Sequence, residues 1–236
     1  MGLGVTGLAN AGEALGHSYG SKEFVAWTER VMKTIRDYTY HASIDLAIEK
    51  GAFPLYEDKY CESKFIKTLP RSIQARIKEH GIRNSHLLSI APTGTISLTA
   101  DNVSSGIEPV FSAEYSRVIQ KPEGPVTTIV KDYGWREWGV VPHTATDCTA
   151  DEHLDVLIAV NKYVDSAVSK TINVDPAMEW EDFKAIYMKA YNGGCKGVTT
   201  FNPSGRRFGI LNAVDAEEQE ELACYVDPAT GVKECS

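Results

Sequence analysis

The chain has 236 residues, 43% hydrophobic and 24% charged, with a net charge of −8; this is the make-up of a globular protein large enough to bury a core. The acidic balance argues against duplex DNA or RNA as a partner, because that affinity comes from Lys and Arg on phosphates, and no apolar run approaches the roughly 18 residues of a membrane span. Five cysteines, an odd number with no CxxC pair and no zinc spacing, together with no basic-then-apolar start, predict reduced thiols, no metal site and a cytoplasmic location.

Residues 2–16 are small and apolar and predict a short helix. Within them Gly2-Leu-Gly4-Val-Thr-Gly7 fits G-x-G-x-x-G. A dinucleotide fingerprint needs a strand before it and an acidic strand end about 20 residues on; only Met1 precedes, and Glu23 opens a helix. The motif therefore reads as a close-packing stretch, with a Rossmann-type oxidoreductase as the reading to be displaced. Ser21 caps a longer helix with Phe24, Trp27, Val31, Ile35, Tyr38 and Ala42 on one face, ending at Lys50-Gly51. Residues 52–70 read as irregular, and 70–80 as a short helix closed by Gly81. Residues 85–91 form an apolar run suited to a buried strand. The Pro92-Thr93-Gly94-Thr95 turn that follows could open a helix. Residues 106–141 read as a long connection with room for one strand. Thr149-Ala-Asp-Glu152 is a capping box for a helix reaching about Val168. Residues 169–174 are a strand candidate. Asp175-Pro176 signals a helix carrying Trp180, Phe183, Tyr187 and Ala190 on one face, with a stop at Gly193-Gly194, and 196–201 is another short strand. Short strands alternating with helices imply an α/β fold over residues 1–210. Residues 211–236, acidic at 215–221 and carrying Cys224 and Cys235, read as a mobile tail.

The stretch from Gly81 to Ser97 carries the most chemistry. A buried strand runs into a turn rich in Thr93, Gly94, Thr95 and Ser97. Glycine allows close approach of backbone to ligand, and free N–H groups at a helix start suit a phosphate. The same residues could equally cap only their own helix.

This stretch resembles the signature of ribonucleotide reductase large subunits. The spacing of Gly81, Asn84, Ser89 and Pro92 fits that signature, although Ile73 and Ile77 occupy the region of its usual upstream tryptophan. Ala-Pro-Thr-Gly-Thr-Ile-Ser97 looks like the loop of the adenosylcobalamin-dependent (class II) enzymes. Four further stretches are similar in family order: residues 2–9, like the family's Gly-Leu-Gly-Val helix; 104–111, its Gly-Ile-Glu-Pro segment; and 166–173 and 194–198, two late barrel strands with their approaches. The resemblance implies the C-terminal portion of a ten-stranded α/β barrel that converts ribonucleotides to 2′-deoxyribonucleotides by radical chemistry. It also implies that Pro92, Thr93, Gly94, Thr95, Ile96 and Ser97 bind the phosphates of a ribonucleoside di- or triphosphate.

Reductases that take their radical from a separate subunit carry an adjacent tyrosine pair where this chain has Thr199 and Thr200. Threonine has no accessible one-electron oxidation, so the resemblance points to adenosylcobalamin as cofactor. The family's Asn-Pro-Cys-Gly-Glu type of radical loop does not occur in these residues, so an N-terminal reductase half, in cis or in trans, is expected to be needed for turnover. Cys61, Cys148 and Cys195 read as structural. Cys224 and Cys235 are candidates for the family's C-terminal thiol pair, recharged by thioredoxin or a glutaredoxin-like reductant, although the family's pairs are usually closer in sequence; two incidental thiols are the other reading. A non-catalytic, nucleotide-binding or regulatory half-barrel is the competing function.

Overall fold

The computed structural model describes residues 1–121 and 124–202 together with the short strands 211–213, 224–226 and 233–235. In chain order the elements are α1 (Leu8–Ala14), α2 (Lys22–Lys50), α3 (Arg71–His80), α4 (Gly94–Thr99), β1 (Glu114–Lys121), β2 (Gly124–Lys131), α5 (Tyr133–Trp138), α6 (Ala150–Asn161), β3 (Thr171–Asn173), α7 (Trp180–Asn192), β4 (Thr199–Phe201), β5 (Leu211–Ala213), β6 (Cys224–Val226) and β7 (Lys233–Cys235). None of the described helices is long and apolar enough to cross a membrane.

Four extended segments lie side by side, parallel and in sequence order. Leu3 pairs with Leu88, and Ile90 with Val168. The third segment continues into β3, which pairs in parallel with β4 (Thr171 opposite Thr199, Asn173 opposite Phe201). Backbone bonds stitch the joins: Leu3 N donates to Leu87 O (2.7 Å), Ser89 N to Leu3 O (3.0 Å) and Ile90 N to Ala167 O (3.0 Å). Leu87 and Leu88 are consecutive and both buried, as expected of a parallel strand covered on both faces.

The first of these segments corrects the sequence reading. Residues 2–7 are not the start of a helix: Leu3 lies in the ladder, and α1 begins only at Leu8 after Gly7, whose φ is 75°. The glycines do serve close packing, but between strands. A Cβ on Gly4 would collide with the carbonyl oxygen of Ser89, and one on Gly2 would sit 2.5 Å from the Ser89 hydroxyl.

Helix α2 starts where predicted. The Ser21 side chain accepts from Phe24 N, and Gly51 at φ 80° ends it. Its buried stripe is rotated from the apolar one, however. Phe24, Thr28, Met32, Arg36, Tyr40, Ser43, Ile44 and Ala47 face inward, while Tyr38 is three-quarters exposed. The helix packs on α6 and α3, and a buried cation is tolerated there because Arg36 pairs with Asp37 (2.6 Å) and lies over the Tyr163 ring (5.1 Å).

Two helix boundaries move. The capping box at Thr149 and Glu152 is present, but α6 ends at Asn161, because residues 166–169 join the parallel ladder. Helix α7 begins at Trp180 rather than after Pro176; Asp175 instead closes a turn, accepting from Ala177 N through its side chain (2.8 Å). The long connection holds more than one strand: β1 and β2 form an eight-pair antiparallel hairpin, and β5 adds to β1. Of the predicted mobile tail, 211–236, only β5, β6 and β7 are among the described residues.

The main core gathers α1, α2, α3, the 82–90 segment and α6, and a second cluster of Leu154, Leu157, Ile172, Val174, Ile186 and Ala190 joins α6, β3 and α7. At the start of the ladder Asp165 accepts from Leu87 N (2.8 Å), Leu88 N (2.9 Å) and Tyr40 Oη (2.8 Å). Beside it the Lys196 ammonium donates to the carbonyls of Val164, Asp165 and Ser166.

Candidate functional site

The loop at 92–97 leaves the carboxyl end of the second parallel segment, the end at which open α/β sheets bind ligands. Thr93 sits at φ 53°, ψ 22°, a left-handed conformation that is strained for a β-branched residue. Its hydroxyl is held from two sides. Gly106 N donates to Thr93 Oγ1 (2.6 Å), and Thr93 Oγ1 lies 3.1 Å from Thr6 Oγ1. Since the Thr6 hydroxyl donates to Ser104 O (3.0 Å), the proton between the two threonines comes from Thr93. Thr6, at the carboxyl end of the first segment, is thereby tied to the second and to residues 104–106.

Helix α4 starts directly after Thr93. Its first intrahelical bond is Ser97 N to Thr93 O (2.7 Å), so the N–H groups of Gly94, Thr95 and Ile96 are the ones a helix start leaves without an internal partner. All three residues are exposed, and a Cβ on Gly94 would meet nothing within 4 Å. The hydroxyls divide differently from the sequence expectation that all would face a ligand. Ser97 is buried and turned inward, donating to Gly94 O and meeting Ser105 Oγ, both at 3.0 Å. Thr93 is engaged as described. The loop thus offers outward three N–H groups and the Thr95 hydroxyl, and Pro92 contributes shape without a donor.

Behind the loop lies a buried charged cluster that the sequence reading did not single out. Lys170, at 2% exposure, donates to Glu108 Oε2 (2.5 Å), His153 Nδ1 (2.7 Å) and Thr171 O (2.7 Å). Three acceptors match the three N–H bonds of an ammonium when His153 accepts at Nδ1; its Nε2 is buried with no partner among the described residues. Burial, and then the Lys170 charge, holds His153 down to about 3. Burial pushes the neighbouring Cys148 thiol up to about 12, and it raises Cys195 as well; both thiols stay protonated at neutral pH, unlike reactive cysteines. No group of three or more metal-binding side chains occurs among the described residues.

Glu13, at the end of α1, borders a cavity of about 340 Å³ with Ser18, Val141 and His143. One of its oxygens accepts from His143 N (2.8 Å) and the other has no partner among the described residues. Burial pushes its carboxyl up to about 7 from an ordinary 4.5. A carboxyl raised in this way favours the fold in its protonated form; the contribution is complete below pH 4.5 and lost as the pH rises through 7. Glu13→Gln, which keeps the acceptor and cannot ionise, is expected to raise the melting temperature at pH 8 by about 4 °C, or ~1–2 kcal/mol with water screening at the cavity mouth. Scanning calorimetry at pH 5 should show almost no gain; an equal gain at both pH values would show that ionisation of Glu13 is not the cause.

Residues 1–137 and 141–201 match the family described as the ribonucleotide reductase barrel domain. The chain belongs to this family. It is 32% identical over 240 residues to a vitamin B12-dependent ribonucleoside-diphosphate reductase of Mycobacterium tuberculosis, covering 90% of this chain and 32% of that protein. It is 30% identical to the protein of the same name from Thermoplasma acidophilum (93% and 30% covered) and 26% identical to the ribonucleoside-diphosphate reductase subunit alpha of Mycoplasma pneumoniae (76% and 29%). The chain therefore spans about a third of the length of these relatives. Membership of the reductase barrel family excludes the Rossmann-type reading of Gly2 to Gly7, whose residues instead form a strand of the parallel ladder. Thr6, Ser104, Ser105, Gly106, Glu108 and Lys170 support the loop; all six lie in the family-like stretches 2–9, 104–111 and 166–173, but their supporting role was not legible in the sequence.

Proposed function

We propose that this chain supplies part of the catalytic barrel of an adenosylcobalamin-dependent ribonucleotide reductase, its parallel segments being late strands of a ten-stranded α/β barrel. In this reading Pro92, Thr93, Gly94, Thr95, Ile96 and Ser97 form the cradle for the phosphates of a ribonucleotide. The observation that carries it is the loop itself: outward N–H groups at 94–96, at the carboxyl end of parallel strands, in a chain of this family. A phosphate there gains charge-assisted bonds from the N–H groups and the Thr95 hydroxyl. The names of two relatives favour a diphosphate over a triphosphate.

The B12 dependence in those names favours the same cofactor here, as does the presence of Thr199 and Thr200 on β4, since threonine cannot relay a radical by one-electron oxidation. The cofactor supplies the radical when bound. The cavities of about 340 and 320 Å³ are too small for a corrin, and the residues lining them are not assigned to it.

Cys224 and Cys235 are proposed as the thiol relay. Ten residues separate them in sequence, but β6 and β7 pair with Cys224 directly opposite Cys235. Directly opposed residues of antiparallel strands have Cα atoms about 4.5–5.5 Å apart, within the roughly 4.4–6.8 Å span of a disulfide. In this reading the two thiols surrender two electrons and two protons to another disulfide, close into one themselves, and are reopened by a dithiol protein.

The test is ribonucleotide reduction with adenosylcobalamin, using the chain alone and co-expressed with an N-terminal reductase half. Turnover is expected only in the mixture. Thr95→Ala should raise KM for the nucleoside diphosphate about tenfold, the loss of one charge-assisted hydrogen bond. Cys235→Ser should abolish turnover driven by thioredoxin while sparing turnover driven by a small dithiol. A stable complex without turnover would overturn this reading in favour of a nucleotide-binding, non-catalytic module.

A further inference from the structure

The Lys170–Glu108 pair touches no residue of the phosphate loop; beside the strand ladder, where Ser169 N donates to Ile90 O (2.9 Å), the pair reaches the loop through one short stretch, residues 104–108. Each residue of that stretch is pinned. Ser104 O accepts from Gly7 N (2.7 Å) and from the Thr6 hydroxyl. Ser105 Oγ meets Ser97 Oγ. Gly106 N donates to Thr93 Oγ1. Ile107 O accepts from the Tyr19 hydroxyl (2.6 Å). Glu108 closes the stretch by clamping two consecutive residues of the third parallel segment, with Oε2 on Lys170 Nζ and Oε1 on Thr171 N (2.6 Å).

A buried ion pair costs desolvation and is weak evidence for stability in itself. What it supplies here is a fixed position. Gly106, at φ 55° with Ala91 O 2.8 Å from where a Cβ would stand, can lie between Thr93 and the 91–92 backbone only while the stretch is held at both ends. Thr93 in turn stays in its strained left-handed state only while Gly106 N and Thr6 hold its hydroxyl, and that state aims the N–H groups of 94–96 outward. We infer that Lys170 and Glu108 are positioning residues, a latch that sets the geometry of the 92–97 loop through residues 104–108 and so tunes its affinity for a nucleoside diphosphate. The inference about affinity rests on the function proposed above; the inference about loop geometry does not.

Amide hydrogen exchange on the full 236-residue chain separates the two. In Lys170→Met, the Gly106 and Ser97 amides are expected to exchange about tenfold faster, a local opening, while the Ile44 and Val160 amides of the main core keep their protection. Isothermal titration with ADP and CDP should then show affinity reduced by about the same factor in the variant. Should Lys170→Met not fold, the double variant Lys170→Met/Glu108→Gln, which leaves no buried unpaired charge, gives the same readout. A uniform rise in exchange across the core, or no change at Gly106 and Ser97, overturns the latch. Absence of nucleotide binding by the parent chain alongside a selective exchange change would instead overturn the phosphate-cradle reading and leave the latch standing.

Discussion

Asp165→Ala is expected to cost about 3 kcal/mol of stability, because it leaves two buried backbone donors and a buried phenol without their acceptor. The carboxylate bonds Leu87 N and Leu88 N at the start of the second parallel segment and the Tyr40 hydroxyl from α2. Leu87, Leu88 and Tyr40 are all essentially inaccessible to solvent, so water cannot replace the lost oxygens without opening the core. Burial, and then the nearby Asp165 charge, pushes the Tyr40 phenol well above its ordinary range, so it remains a donor at any working pH. Denaturant unfolding followed by circular dichroism measures the loss as a shift in midpoint at unchanged slope. Asp165→Asn, which keeps one acceptor oxygen, should lose about half as much. A loss under about 1 kcal/mol for the alanine variant would mean that the strand and α2 find other partners.

Gly106→Ala is expected to cost about as much, for a different reason. Its φ of 55° is a conformation that alanine adopts at a penalty of roughly 1–2 kcal/mol. The added methyl would stand 2.8 Å from Ala91 O, a contact with backbone that can be relieved only by moving the strand end, at about 1–3 kcal/mol. The same movement withdraws Gly106 N from Thr93 Oγ1, so nucleotide binding should fall together with stability. Gly94→Ala is the control: Gly94 lies in the first turn of α4, its φ is not positive, and its Cβ would meet nothing within 4 Å. Its unfolding midpoint should stay within about 0.5 kcal/mol of the parent. Equal effects at the two glycines would show that neither the conformation nor the contact at 106 matters.

Local chemistry carried the parts of this protein that a few adjacent residues decide. Ser21 and Gly51 bound α2, Thr149 and Glu152 open α6, and Gly81 ends α3, because each cap is settled within one turn of chain. The turn at 92–95 was legible as a helix opening for the same reason, and its resemblance to the reductase loop was legible in residue identities alone. The hairpin of β1 and β2 was not, since its strands mix Lys, Gln, Thr and Pro with the apolar residues and blur the period-2 signal.

Sequence by itself therefore determined the helix boundaries set by caps, the family, and the turn at 92–95 that opens α4, all of which depend on neighbours along the chain or on residue identity. Tertiary structure decided that Gly2 to Gly4 run as a strand against residues 87–89, which face of α2 is buried, that Ser97 turns inward while Thr95 stays outward, that Cys224 stands opposite Cys235, and that Lys170 closes on Glu108. Several of these depend on partners far away in sequence, 87 residues for Thr6 and Thr93 and 62 for Glu108 and Lys170. No periodicity or cap within a window of the chain encodes such a distance: the contact exists only once packing has brought the segments together and excluded the water that would otherwise satisfy the same polar groups.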